Sequence, residues 1–396
     1  MNKIVFYTHE FNLNEGGPCT KRIDAFASYL SNNNYDVTIL TGSHNKKNEL
    51  KNIDRKYKII YAPIIPLGKK KTIYRFIEQF TFAFFSFFVG LFRLRKSDYM
   101  FITSPPPLIS MFGYYLGRIK KSKIIYDIRD IWPDVAVEMG SFSENSLFYK
   151  IFKFIAKFMY KHSDIITTVS PGKVEKIKGY VENPEKVKFL SNGLDDNFVK
   201  FDINEKVIKE YNLDKKFTVV YIGNVGLAQN LDALVNLANN YKENENMQFL
   251  IFGDGAYKEN LISKINELNL KNIFVKGKIN YSNVYTILKY SKISFISLKN
   301  SNMLDSVPTK IYDALGAGCP ILLLAKGDSA KIIDEVKFGE HTSNENELIE
   351  KFEYMLNNYY IYENKKEEAI KYVLDNYSRG MIAKKFKEIL ENEVKK

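Results

Sequence analysis

DSVPTKIYDALGAGCPIL (305–322) sets two carboxylates, Asp305 and Asp313, eight positions apart between two apolar runs, 293–298 and 321–324. Both runs read as strands, and the segment between them as a loop followed by a helix. Ser306 or Val307 is placed to cap that helix. Pro308 suits its first turn, where a missing N–H leaves nothing unpaired. Gly316 and Gly318 end it, and Pro320 opens the next strand before a ladder donor is required. A helix start after a parallel strand presents free backbone N–H groups and partial positive charge, which favour phosphate. Carboxylates beside it suit the hydroxyls of ribose or a sugar, so the layout points to a nucleotide-sugar site. Acidic residues at helix starts are also ordinary caps, so this reading needs a matching fold around it.

The surrounding pattern supplies one. Apolar β-type runs at 3–8, 36–41, 58–62, 99–103, 123–127, 164–169 and 186–190 alternate with helix-type segments. A second series begins at 217–222 and continues through 247–252, 272–275, 293–298 and 321–324. Strands alternating with helices predict parallel sheets covered on both faces. The polar, turn-rich stretch 191–216 separates the series. The expected fold is α/β, with two Rossmann-like domains at 1–195 and 196–376 facing across a cleft. A last helix over 377–393, with Met381, Ile382, Phe386 and Ile389 on one face, is expected in a segment 377–396 that crosses back to the first domain. A length of 396 residues agrees with two domains, and 45% apolar residues suffice for two cores.

The net charge of +12 raises nucleic acid or an anionic membrane as partners. Lysine supplies nearly all of it in an Asn-, Ile- and Lys-rich chain. No zinc-ligand cluster, RNA-binding signature or arginine stripe accompanies it, so nucleic acid is not expected. Cys19 and Cys319 are not a disulfide framework and fit a reducing cytosol as packing residues. MNKIVFYTHEF runs straight into a strand without a signal-peptide pattern, which makes a cytoplasmic location the expectation.

Several loops at strand ends carry polar chemistry. HEFNLNEGGPCTKR (9–22) offers Gly16 and Gly17 for close backbone approach to a phosphate, with a helix after Pro18; an ordinary tight turn reads the same way. DIRDIWPD (127–134) packs three carboxylates, Arg129 and the chain's one Trp into eight residues. Either an Asp–Arg ion pair pins this loop, or Asp127 or Asp130 orients an acceptor hydroxyl with Arg129 as positioning group. Trp132 suits a sugar ring or the domain core equally. YIGNVGLAQN (221–230) provides Gly223, Gly226 and the amide of Asn224, while FGDGAYKEN (252–260) and VKGKI (275–279) repeat strand-end glycines with lysines.

KKKTIYRFIEQFTFAFFSFFVGLFRLRKSD (69–98) has an uncharged, Phe-rich centre of 13 residues, 80–92, between basic flanks 69–71, Arg75, Arg93, Arg95 and Lys96. It is short for a span, and suits a helix lying in an anionic leaflet or a wholly buried core helix. A second helix over 146–164 sets Lys150, Lys153, Lys157 and Lys161 along one stripe. Phe148, Ile151, Phe152, Ile155 and Met159 face another way.

Taken together, the Gly16-Gly17 loop, TVSPG (168–172), LSNGLDDNF (190–198), the Gly223 and GDG (253–255) turns and Asp305-x7-Asp313 followed by AGCPIL resemble glycosyltransferase family 4, of GT-B fold. DIRDIWPDVAVEMG (127–140), GNVGLAQN and VPTK (307–310) look most like the WbuB-type transferases of O-antigen and capsule assembly. The resemblance implies retaining transfer from a UDP-sugar, favouring an N-acetylated one, without a metal or other cofactor. It implies Asp305 at the donor sugar and Asp313 at the ribose. Gly16, Gly17, Gly223, Asn224 and Lys310 would hold the nucleotide diphosphate, and Asp127, Asp130 and Arg129 the acceptor side. The family commonly has Glu at both acidic positions and an Arg and a Lys in the loop equivalent to 223–230. Asn224 and Gln229 or Asn230 stand there instead, which leaves the diphosphate charge to Lys310, backbone N–H groups or Arg22. The acceptor implied is a polyprenyl-diphosphate-linked glycan at the inner face of the cell membrane. A soluble acceptor, a UDP-sugar-binding protein without transfer, and a GT-B epimerase are the alternatives.

Overall fold

The computed structural model describes residues 1–12, 17–43, 55–65, 72–138, 143–299 and 303–394. Gly16 and the basic residues 69–71 lie outside the described residues, as does the side chain of Arg75. The chain forms two units, Met1–Asn192 with Arg379–Lys396, and Gly193–Ser378.

Seven parallel strands build the first unit: β1 Asn2–Tyr7, β2 Tyr35–Ser43, β3 Lys58–Pro63, β4 Tyr99–Ser104, β5 Lys123–Ile128, β6 Ile165–Thr168 and β7 Val187–Phe189. Their order across the sheet is β3-β2-β1-β4-β5-β6-β7. Along β1, Ile4 and Phe6 enter one core cluster while Val5 and Tyr7 enter another, the period-two alternation of a strand covered on both faces. The helices Pro18–Asn32 and Arg379–Val394 cover one face, where the rings of Phe26 and Phe386 lie 4.9 Å apart. The helices Thr72–Arg93, Pro107–Ile119 and Leu147–His162 cover the other through Phe82, Leu116 and Met159.

The second unit has six parallel strands: β8 Phe217–Ile222, β9 Met247–Phe252, β10 Ile273–Lys276, β11 Ile293–Ser297, β12 Ile321–Leu324 and β13 Gly339–Thr342. Their order, β10-β9-β8-β11-β12-β13, is that of a dinucleotide-binding sheet, with its reversal between β8 and β11. Two Rossmann-like halves of this kind are the GT-B architecture expected from the sequence. Twelve of these strands lie where the apolar runs predict them. The thirteenth, Gly339–Thr342 (GEHT), has no apolar run, because an edge strand gains its place from β12 alone: Ile321 is in register with Gly339 and Leu324 with Thr342.

Three expectations about helices need correction. The helix after Asp305 runs Lys310–Gly316 and starts at Thr309, so neither Ser306 nor Val307 caps it and Pro308 precedes it. The residues before it are held elsewhere: Ser306 N donates to Met303 O at 3.2 Å, and Asp328 N to Leu304 O at 2.7 Å. The expected helix 377–393 is the helix Arg379–Val394, separated from Tyr359–Tyr377 by Ser378, whose extended backbone breaks the run. Ile382, Ala383, Phe386 and Leu390 are its buried residues, with Ile389 partly buried.

The helix Thr72–Arg93 is not wholly buried. Phe82, Ala83 and Ser86 are fully covered, whereas Phe80, Phe84, Phe88 and Phe92 are 46%, 43%, 42% and 82% exposed. Its segment Phe76–Arg93 is long and apolar enough to cross a membrane by length and composition, with 22% of it buried. Exposed apolar residues continue on its neighbours, as Tyr115 and Ile119 on Pro107–Ile119 and Leu147, Ile151 and Phe154 on Leu147–His162. Contacts between Phe80 and Phe112 and between Phe76 and Phe148, at 6.3 and 5.4 Å, join the three helices. Arg93, Arg95, Lys96, Lys150 and Lys157, in or next to these helices in the chain, are exposed as well.

Candidate active site

The end of β8 meets the end of β11 where the second sheet's order reverses, the place at which open α/β sheets hold ligands. Gly223 follows β8 with φ +147°, a conformation that L side chains rarely adopt. A Cβ there would lie 2.4 Å from Cε of Lys310, so the glycine is what lets that side chain lie across the loop. Gly253 after β9 is tied just as closely, because its Cβ would fall 1.8 Å from Gly223 O. Val225 N donates to Asp254 O at 2.9 Å and locks these two loops together.

Lys310 is the chemical centre of this end. Its Nζ donates to the Tyr221 hydroxyl at 2.5 Å and stands 3.8 Å from the Tyr221 ring centre. Tyr221 donates in turn to Asn224 O at 2.6 Å. Burial penalises the ammonium and pushes the Lys310 pKa down from 10.5 to about 7. Among the described residues no carboxylate pairs with this ammonium, which lies over the Tyr221 ring.

Asp313 lies one turn along the same helix, half-buried, and its Oδ1 accepts the Tyr281 hydroxyl at 3.0 Å. Asp305, 8% exposed, lies in the anchored loop before the helix. Asn224 is exposed, with its amide donating to Gln229 Oε1 at 3.3 Å, and that oxygen also accepts Gly226 N at 3.1 Å. Gln229 therefore shapes the loop, and Asn224 is a weaker phosphate donor than its position in the sequence suggests. With seven residues, Lys310–Gly316 is a short helix, so the Lys310 ammonium outweighs its N-terminus as an anion-binding group.

In the first unit, Gly17 precedes the helix Pro18–Asn32 as its N-cap without a side-chain cap, and a Cβ on it would meet nothing within 4 Å. Asp127 is not an acceptor-orienting group. It is 1% exposed, and its Oδ1 accepts Arg22 Nη2 at 3.1 Å and Thr167 Oγ1 at 2.7 Å. Arg22 also donates to Leu190 O, at 2.7 Å, and to Ser191 O. The pair thus fastens the first helix and β5 to the chain just before Asn192, and Asp127's ion-pair partner is Arg22 rather than Arg129. Asp127→Ala should leave Arg22 buried without its partner and cost about 3–5 kcal/mol of stability. Chemical denaturation of the variant measures this, and Asp127→Asn, which keeps an acceptor, should cost less.

Asp130 and Arg129 stay half-buried on the loop after β5. Arg129 donates to Pro105 O at 3.2 Å, and its Nε has no partner among the described residues. The Asp130 carboxylate carries no ion pair among the described residues, in contrast to Asp127 and Asp134 on either side of it. Trp132 packs on Phe152 at 6.0 Å in the core rather than serving as a free sugar platform. Among the described residues no group of three or more His, Cys, Asp or Glu is placed to hold a metal.

Two side chains of this site escape sequence reasoning, Tyr221 and Tyr281. Tyr221 looks like one more apolar strand residue, and nothing in the spacing of Tyr281 connects it to Asp313, 32 positions on.

Residues 203–373 match the family model for glycosyl transferases group 1. Among curated proteins, the chain is 24% identical over 252 residues to a probable glycosyltransferase, WbjE, of Pseudomonas aeruginosa, covering 62% of each chain. It is 23% identical over 209 residues to the N-acetylgalactosamine-N,N'-diacetylbacillosaminyl-diphospho-undecaprenol 4-alpha-N-acetylgalactosaminyltransferase of Campylobacter jejuni, covering 52% of this chain and 54% of that one. The chain thus spans less than two thirds of the length of either relative. Among solved structures, sucrose-phosphate synthase from Thermosynechococcus elongatus superposes with a TM-score of 0.79 at 13% identity, over 100% of this chain and 99% of that one. Anabaena Alr3699/HepE in complex with UDP does so with a TM-score of 0.72 at 12% identity, over 99% and 100%. These likenesses establish the GT-B fold.

Proposed function

We propose that this chain is a glycosyltransferase that binds a UDP-sugar on its second unit and transfers the sugar, with retention, to a lipid-linked glycan. The observation that carries the reading is Lys310, a half-buried lysine held on Tyr221 at the strand reversal, beside the Asp313–Tyr281 pair. The group 1 match over 203–373 and the UDP complex of a protein with this fold support the same donor. The Campylobacter jejuni relative, by name an N-acetylgalactosaminyltransferase acting on a diphospho-undecaprenol-linked substrate, supports an N-acetylated sugar and a polyprenyl-diphosphate acceptor.

The chemistry assigned to these groups is electrostatic. As the bond to the leaving diphosphate lengthens, negative charge gathers on the phosphate, and Lys310 meets it within a preset framework. Asp313 accepts from the ribose hydroxyls with Tyr281 holding its carboxylate in place. Asp305 addresses the donor sugar, and the departing phosphate takes the acceptor's proton, so no separate base is required. Asp130 and Arg129 remain the acceptor-side groups. Calorimetric titration with UDP and GDP, followed by turnover of UDP-N-acetylhexosamines on a polyprenyl-diphosphate glycan in vesicles, tests the reading. Equal affinity for UDP and GDP, or no transfer to any lipid-linked acceptor, sinks it.

Support for a peripheral site at the inner membrane face comes from the exposed apolar residues of three adjacent helices and their basic neighbours, a combination suited to an anionic leaflet. Phe84→Ser with Phe88→Ser, both on the exposed side of the helix, should lower binding to phosphatidylglycerol vesicles about tenfold or more while leaving the melting temperature unchanged. Unchanged vesicle binding with an intact fold would remove the membrane from this account.

A further inference from the structure

At the opposite ends of the strands that lead to Gly223 and Lys310, the second unit has a cavity of about 680 Å³. It opens beside Phe217, the first residue of β8, and Pro320, which precedes β12. With about 3.3 Å per residue, β8 alone puts roughly 17–20 Å between this cavity and Gly223. Lys215, Lys216, Lys289, Lys292 and Lys366 line it, against two carboxylates, Asp214 and Glu363.

Their surroundings leave this charge largely uncompensated. Of the five lysines, only Lys292 has an ion-pair partner among the described residues, a loose one at 3.9 Å from the exposed Glu363. The same ammonium stands 5.0 Å from the ring centre of Tyr359, which packs edge-on against Phe217 at 5.8 Å. Lys366 lies across Gly318, where a Cβ would come within 2.6 Å of its Cε, so the absent side chain is what admits it. Several lysines around one concave, partly apolar wall raise the local potential for an anion.

We propose that this cavity is a binding site for a small phosphate-bearing molecule, a sugar phosphate, separate from the donor site. Its phosphate sits among Lys292, Lys366 and their neighbours, and its ring rests on Tyr359. Lysines serve phosphate as point charges without demanding one geometry, and the aromatic wall adds the contact that distinguishes a sugar phosphate from phosphate alone.

The test is calorimetric titration of the full chain with glucose 6-phosphate and, separately, with inorganic phosphate. The expected result is saturable one-site binding, tighter for glucose 6-phosphate. Lys292→Gln combined with Lys366→Gln should weaken it by about tenfold or more, while UDP affinity stays within about twofold. If that double variant melts early, Lys215→Gln with Lys216→Gln should give the same weakening. Absence of saturable heat up to about 10 mM overturns the proposal, as does equal affinity for the two ligands. Binding that survives both lysine pairs but disappears in Lys310→Met also overturns it, because the anion then occupies the donor end.

Discussion

Asp313→Ala is expected to weaken UDP binding by roughly 10- to 100-fold, the loss of about 1.5–3 kcal/mol that goes with a charged hydrogen-bonding partner. The carboxylate stands one turn beyond Lys310 and accepts the Tyr281 hydroxyl at 3.0 Å. That bond holds the carboxylate in place beside Lys310. Tyr281→Phe should therefore weaken UDP less than Asp313→Ala, since it loosens the carboxylate without removing it. Asp305→Ala should act mainly on the transfer rate and leave UDP affinity close to that of the parent, because its proposed contact is with the sugar. Titration of the three variants with UDP, with transfer kinetics beside it, separates these roles. An Asp313→Ala variant that binds UDP like the parent would move the nucleotide away from this helix.

The second large effect concerns pH. With its pKa pushed down to about 7, Lys310 has largely lost its proton by pH 8 in the empty protein. A bound diphosphate favours the ammonium, so binding draws a proton from solution. Between pH 7.5 and 9, UDP affinity should fall by up to about tenfold per pH unit, and calorimetry in buffers of different ionisation enthalpy should register proton uptake approaching one. Lys310→Met should bind UDP at least about tenfold more weakly at pH 7 and lose this pH dependence. The stability of the empty protein carries the opposite sign. The unfolded chain keeps its Lys310 proton up to 10.5 whereas the folded chain releases it from about 7. The folded state is therefore penalised in full below pH 7, and is relieved as pH rises through that window. A UDP affinity flat from pH 7.5 to 9 would show that Lys310 does not meet the diphosphate.

Both effects begin with a residue the sequence identifies and depend on one that it hides. Lys310 and Asp313 are visible because a loop and a proline mark a helix start after an apolar strand and two glycines mark its end. Tyr221 and Tyr281 are not, because an aromatic in a strand or a helix has the same local signature whether it packs in a core or steadies a charge. The reverse error occurs at Asp127. A carboxylate-rich strand end looks like exposed chemistry, but Arg22 of the first helix comes to it from 105 positions away and encloses it. The Phe-rich helix had two sequence readings, and its exposed phenylalanines remove the wholly buried one.

The sequence by itself determined the alternating architecture, twelve of the thirteen described strands and the segment in which Lys310 and Asp313 stand. These follow from patterns a few residues long: apolar runs of strand length, prolines at starts and glycines at ends, each reflecting local backbone and burial preferences. Tertiary structure alone decided which charges have partners. It gave Asp127 to Arg22, placed Lys310 on Tyr221 and Asp313 beside Tyr281, and added Gly339–Thr342 as an edge strand through its pairing with β12. The physical reason is range. Backbone preference acts between neighbours in the chain, whereas the pairing and desolvation of a side chain depend on what folding brings against it from far along the sequence.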